Sequence, residues 1–364
     1  MQTKEGITRQ QSTMLQGAAI LLMMFHHFFL SMDFCPFTVV HVDWVLKFAW
    51  FGKICVGIFA FVSGYGMYYV MQRIDKEQFF TAFGRELYVS VHKIISIYLK
   101  FWLILFLTKG IDLLFYGEII EPLEFVKNMF TISISYNGSL WYLQQYVQMM
   151  IILPFLDLFF TSFEKKEEQN KKRIFFITCI LAVLAIAFIS RLAYRPLWEF
   201  LKTVPEKLRL AYTAVFVAGY LISRFSVFHK CNGQMEKCPV FLQMATGIFL
   251  IAAVMAVRIH LATDAAFATF DFILAPLFVY GLVLVLQHCK ILGKILYQLG
   301  ICSTYMWFLH GWVYVKTFVQ MVNMHLYTLE FYVIQVCIDF VLAFILVELG
   351  KGMKKIKNRD RSKK

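Results

Sequence analysis

Apolar stretches of about 17–25 residues recur along the whole chain, each long enough to cross a hydrocarbon core of roughly 30 Å as a helix. Lipid offers the backbone no water to bond, so each segment must satisfy its own peptide groups, and runs of this length form helices and not strands. Sixty per cent of the 364 residues are hydrophobic and 16% are charged, which leaves too little polar surface for a soluble domain of this size. The expected fold is all-α: one polytopic membrane domain over residues 1–349 with about ten transmembrane helices, then a basic tail over 350–364. The spans are expected at about 13–31, 48–70, 87–108, 139–160, 174–191, 209–223, 240–257, 269–286, 296–316 and 331–349. The first run lacks a small-x-small cleavage site, so it is expected to stay as the first span.

Charge gives the expected orientation. Basic residues collect on cytoplasmic segments. With the N-terminus inside, 24 of the 36 Lys and Arg fall on segments expected in the cytoplasm, 11 lie toward the outside, and Lys100 falls within a span. An even number of spans with both termini inside follows, in a multi-pass protein of the cell membrane. The formal net charge of +13 then reflects cytoplasmic loops and a Lys-rich tail facing anionic lipid. It calls for no nucleic-acid partner. The spacing of His229, Cys231 and Cys238 matches no standard zinc site, and no metal is expected. The segment 111–139 alternates apolar and acidic residues, with Glu118, Glu121 and Glu124. It is expected to form a short helix on the outer surface that leads into Gly138-Ser139-Leu140-Trp141.

Titratable groups placed in lipid are costly, which makes each one a functional candidate. The first span, LQGAAILLMMFHHFF over 15–29, carries two adjacent histidines. On a helix Gln16 and His27 lie about three turns apart, roughly 16 Å along the axis and about 20° from one face, while His26 points about 100° away. His27 lies about 21 Å into span one, and His310 lies at the same depth in span nine, at about 1.5 Å per residue. Asp271, Asp339 and Trp141 fall in the same outer half. These groups either converge on one polar cavity or are satisfied separately by neighbouring helices. Span two carries VGIFAFVSGYGM, in which Gly57 and Gly64 share a face that admits a close helix neighbour. Ser63 stands beside them.

Four segments occur in order: LQGAAILLMMFHHFF, VGIFAFVSGYGM, SLWYL at 139–143 and LGICSTYMWFLH at 299–310. With ten expected spans, this set resembles the acyltransferase 3 family of membrane O-acyltransferases, from about Thr13 to Leu349. The resemblance implies transfer of an acyl group, usually acetyl from cytoplasmic acetyl-CoA, to a hydroxyl of a surface or lipid-linked glycan. It implies a catalytic histidine eleven residues after a basic residue, a register that selects His27. Here the basic position is Gln16, which can hydrogen-bond to a phosphate or carbonyl but cannot neutralise one. Where the family has a basic pair, HKIISIY keeps Lys93 and offers Ser96.

An alcohol attacks a thioester poorly unless a base takes its proton as the new bond forms, and a neutral imidazole suits that task. His27 is the expected base, or itself accepts the acyl group. Gln16, Lys93 and Arg85 are expected on the acyl-CoA side. His310, Trp141, Ser63, Asp271 and Asp339 are expected around the glycan acceptor. A transporter or flippase that moves a glycan or acyl donor without catalysis is the competing class, because intramembrane His and Asp also suit a proton relay.

Overall fold

The computed structural model describes residues 6–30, 41–76, 78–164, 212–261, 264–323 and 327–361, and among these every regular element is helical. In chain order they are α1 (Arg9–Phe28), α2 (Val42–Gly52), α3 (Ile54–Met71), α4 (Phe79–Tyr116), α5 (Pro122–Met129) and α6 (Trp141–Glu164). Then follow α7 (Thr213–Arg224), α8 (Val227–Met235), α9 (Val240–Leu261), α10 (Asp264–Leu286), α11 (Lys290–Asn323) and α12 (Thr328–Arg361). A helix stands at each expected span except the fifth, 174–191, which lies outside the described residues. The C-terminal tail is helical to Arg361 as a continuation of α12.

Among the described residues, five helical segments are long and apolar enough to cross a membrane: Val42–Met71, Phe80–Tyr116, Gly138–Thr161, Val240–His260 and Thr328–Gly352. Large apolar side chains such as Leu99, Phe106, Phe249 and Phe344 are exposed on α4, α9 and α12, as lipid-facing helices require. The chain is a membrane protein. Helices α1 and α11, of 20 and 34 residues, have the length but are too polar to count among those five. They are the two helices that carry His27 and His310.

Local chemistry sets the ends of these elements. Thr8 opens α1 with a capping box: its hydroxyl accepts from the Gln11 amide at 3.1 Å, and the Gln11 side chain accepts from the Thr8 amide at 2.8 Å. Gly117, at φ +65°, closes the 38-residue α4 in the left-handed conformation that glycine tolerates best. Pro122 starts α5, the short helix expected in this segment, where a missing N–H costs nothing. The Glu124 carboxylate, held by Ser133 and Ser135, lies below the usual carboxylate range. Asn137 accepts from the Ser139 amide at 3.0 Å and donates to the Phe308 carbonyl at 3.2 Å. It thereby ties the start of α6 to α11.

Close packing of small residues holds the bundle, because apolar burial drives no helix association when lipid is as apolar as the interface. Helix α1 lies against α11 with Gly17 over the Leu296 carbonyl and Gly300 over the Thr13 carbonyl. Gly64 of α3 meets the Phe216 carbonyl of α7, and Gly219 of α7 meets the Phe61 carbonyl in return. Gly57 faces a different helix, with Ala275 and Asp271 of α10 as its neighbours. The shared glycine face of span two therefore admits two helices at two depths.

Two charge clusters lock the bundle at opposite ends of α4. Asp112 accepts from Lys109 at 2.7 Å, Lys316 at 2.9 Å and the Trp312 indole at 2.9 Å, joining α4 to α11. Asp157 of α6 accepts from Lys76 and Tyr220, with Arg224 at 3.7 Å, joining α6 to α7.

Candidate active site

The site grows out of the α1–α11 contact. Because Gly17 and Gly300 let these helices approach backbone to backbone, residues ten and more positions further along both remain neighbours. The His27 and His310 rings are 5.1 Å apart, centroid to centroid. His310 is 2% exposed, and its Nδ1–H donates to the Trp307 carbonyl at 2.7 Å. That bond assigns the neutral tautomer with the lone pair on Nε2.

The two histidines of α1 have separate tasks. His26 is 7% exposed and its Nδ1–H donates to the Ala49 carbonyl at 2.7 Å, clamping α1 to α2. His27 makes no hydrogen bond among the described residues and its ring is accessible. It lines a small cavity of about 110 Å³ with Lys53, Ser139, Trp141 and Tyr142. His26 lines the same cavity, but its Nδ1–H is committed to the Ala49 carbonyl, whereas the His27 ring makes no hydrogen bond among the described residues.

A second, larger cavity of about 1080 Å³ opens toward the Arg9 end of α1. Gln16 and Ser63 line it, as do three cations: Arg9, Lys93 and Lys100. No carboxylate is among its lining residues that the structure describes. A concave surface with positive charge of one sign concentrates polyanions. Phe59, Tyr142 and Trp307 line both cavities and so form the wall between them.

The structure therefore brings His27 and Trp141 together at the small cavity, with His310 beside His27 but lining neither cavity; Gln16 and Lys93 line the larger one, and so does Ser63, which was expected on the acceptor side. It places three expected residues elsewhere. Arg85 is exposed on α4, eight residues before Lys93, and lines neither cavity. Asp339 is fully buried on α12 and also lines neither. Asp271 is fully buried and ion-paired with Arg258 of α9, itself fully buried. Asp271 acts in the α3–α9–α10 packing and not at the wall of either cavity.

Arg258 has a measurable consequence. Arg258→Met leaves the Asp271 carboxylate buried without its cation, a loss of about 3–5 kcal/mol. The double variant Arg258→Met with Asp271→Leu recovers most of it. Thermal unfolding of the purified chain in detergent checks this, and a single variant as stable as the parent contradicts it.

Three cavity residues, Lys100, Arg9 and Tyr142, and the buried Arg258 escaped the sequence reading. Lys100 had a signal, since a lysine inside a span is a functional candidate by default. Arg9 lies four residues before the apolar run and was counted only as cytoplasmic charge. Arg258 was placed just beyond span seven, whereas α9 continues to Leu261 and carries it inward. Tyr142 stood inside SLWYL, one position from Trp141, with nothing in its type to separate it from a packing aromatic.

The model of the acyltransferase domain family matches residues 11–350, nearly the whole chain. No curated protein and no solved structure gives a match. Given a match of that extent, the chain belongs to the acyltransferase 3 family.

Proposed function

We propose that the chain is a ten-span O-acyltransferase of the cell membrane, with both termini in the cytoplasm. It moves an acetyl group from cytoplasmic acyl-CoA to a hydroxyl of a surface or lipid-linked glycan. The observation that carries this reading is the pairing of a cationic, carboxylate-free cavity with a small histidine-lined one across a shared aromatic wall. Coenzyme A is a polyanion too large for the small cavity, while the larger one has the volume and the charge to hold its phosphates. In this reading Arg9, Lys93 and Lys100 bind the phosphates, and Gln16 hydrogen-bonds where the family has a cation. Arg85 steers the anion toward the mouth.

His27 takes the proton from the acceptor hydroxyl as that oxygen attacks the thioester carbon. The C–O bond forms, the C–S bond breaks, and the proton passes from the imidazole to the departing thiolate. His310, with its Nδ1–H tied to Trp307, presents its lone pair toward the same region and orients His27 or the acceptor. Trp141 and Ser139 shape the acceptor side. Asp271 and Asp339 act on this chemistry only through the packing of α10 and α12.

Neutralising Lys93 and Lys100 tests the donor side. A hydrogen bond to a charged group contributes about 1.5–3 kcal/mol, so Lys93→Gln and Lys100→Gln each raise KM for acetyl-CoA by about tenfold or more at 1.4 kcal/mol per decade. The penalty shrinks when dephospho-acetyl-CoA replaces acetyl-CoA for whichever lysine binds the ribose phosphate. Initial-rate kinetics on the purified chain reads this. A KM unchanged in both variants moves the donor site away from this cavity.

A further inference from the structure

We propose that the Tyr142 hydroxyl donates the hydrogen bond that holds the acyl carbonyl during transfer, an inference that rests on the acyl-transfer reading above. Three observations lead to it. Tyr142 is one of three residues common to the two cavities, so any group passing from the cationic chamber to His27 passes its ring. The wall it belongs to is closed: the Tyr142 ring centroid is 5.6 Å from that of Trp307 and 6.4 Å from that of Phe59. Its hydroxyl is sealed from water and has no hydrogen-bond partner among the described residues.

The third observation carries the most. Buried hydroxyls in folded proteins find partners, and one without a partner calls for an explanation. Other described side chains also hold buried polar atoms without a partner, among them Asp339 and Tyr280. Tyr142 alone of that set lines either cavity. A donor left unmatched in the wall between thioester and base is matched when the ligand arrives. The group that parts the wall is the acyl moiety, and its only strong acceptor is the carbonyl oxygen. An empty site thus holds its donor in reserve, and the bound thioester relieves it.

In the reaction the acceptor oxygen adds to the carbonyl carbon and the C=O electron pair moves on to oxygen. His27 receives the acceptor proton, and Tyr142 O–H donates to the oxyanion so formed without losing its own proton. Collapse restores C=O, expels the thiolate and returns the His27 proton to sulfur, so that ester and free thiol leave. A donor positioned before charge develops acts on the transition state more than on the ground state. Phe59 and Trp307 keep water from that oxyanion by closing the wall around it.

Tyr142→Phe keeps the ring and removes the donor, so the fold is retained. The full-length chain in lipid nanodiscs is assayed with radiolabelled acetyl-CoA and a membrane extract of lipid-linked glycans. Isotope-edited infrared spectroscopy of carbonyl-labelled acetyl-CoA bound to the same protein gives a second readout. The expected result is a fall in kcat of about 100- to 1000-fold, the usual effect of losing one oxyanion donor, with KM for acetyl-CoA within about threefold. The bound carbonyl band moves to higher frequency in Tyr142→Phe. A kcat within about threefold of the parent, or a loss of activity with the carbonyl band unmoved, overturns the role of Tyr142 while leaving the acyl-transfer reading intact. A parent protein that binds acetyl-CoA but never transfers label overturns that reading, and this inference with it.

Discussion

His27→Ala abolishes acyl transfer, with a fall in rate of at least about 100- to 10 000-fold, the range general acid–base catalysis supplies. His26→Ala leaves transfer within about tenfold of the parent and instead lowers the unfolding temperature, because a buried hydrogen bond is worth about 1 kcal/mol net. The contrast follows from what the two rings touch. His26 is fixed by the Ala49 carbonyl and serves the α1–α2 contact. His27 is free of hydrogen bonds among the described residues and faces the small cavity beside His310. Neighbours in sequence, the two residues differ by about 100° around the helix; both line the small cavity, but the bond to Ala49 holds His26 while His27 lies against His310. Transfer assays with glycan analysis in cells carrying each variant check the assignment. Abolition by His26→Ala and survival of His27→Ala would place the chemistry on the other ring.

Gly17→Leu or Gly300→Leu prevents assembly of a functional protein. A Cβ on Gly17 collides with the Leu296 carbonyl, and a Cβ on Gly300 with the Thr13 carbonyl. Both obstacles are backbone atoms, so no rotamer change relieves them. The helices must move apart instead. Overpacking a well-packed interface costs about 1–3 kcal/mol, occasionally more, and here the strain falls on the contact that aligns His27 with His310. Even Gly17→Ala is expected to lower transfer about 100-fold, since a misplacement of about 1 Å at a reacting centre costs that much. Gly66→Ala is the control. Gly66 has nothing within 4 Å of its added Cβ, and alanine there favours the helix by about 1 kcal/mol. Thermal unfolding and size-exclusion profiles separate the two cases, and a Gly17→Leu protein with parental profile and rate contradicts the packing account.

The helical framework was legible because lipid leaves the backbone few choices. Each expected span that falls on described residues coincides with a helix, and the histidines assigned equal depth by counting residues have adjoining rings. What the sequence concealed was lateral position. Depth arithmetic put Asp271 in the same outer half as His27, but only the rotation of α10 decides that its carboxylate turns to Arg258 and not to the cavity. Asp339 failed as a cavity residue for the same reason. Hydropathy also misleads where function is densest. In α1 and α11 the polar groups that line the cavities dilute the apolar signal, so the helices closest to the chemistry are the least membrane-like by composition. Tyr142 illustrates a deeper limit: an unpaired hydroxyl is a property of three-dimensional surroundings and cannot be seen in the letter Y.

Gln16 marks where this chain departs from the pattern its relatives share. The cavity resolves the departure chemically, because Arg9, Lys93 and Lys100 surround the same space from α1 and α4. Arg9 on α1 and Lys100 on α4 stand at the cavity beside the Lys93 that the resemblance led one to expect. Gln16 is left with a hydrogen-bonding task that needs no charge.

The central claim is that one protein both binds acyl-CoA and transfers its acyl group. The measurement that tests it most directly uses the purified full-length chain in sealed proteoliposomes containing lipid-linked glycan, supplied outside with acetyl-CoA radiolabelled on the acetyl group. The account predicts label covalently attached to the glycan, release of free coenzyme A in equal amount, and neither with His27→Ala. Label that crosses the membrane in step with an ion gradient, with no radioactivity in the glycan and no free thiol, would contradict it and make the protein a transporter.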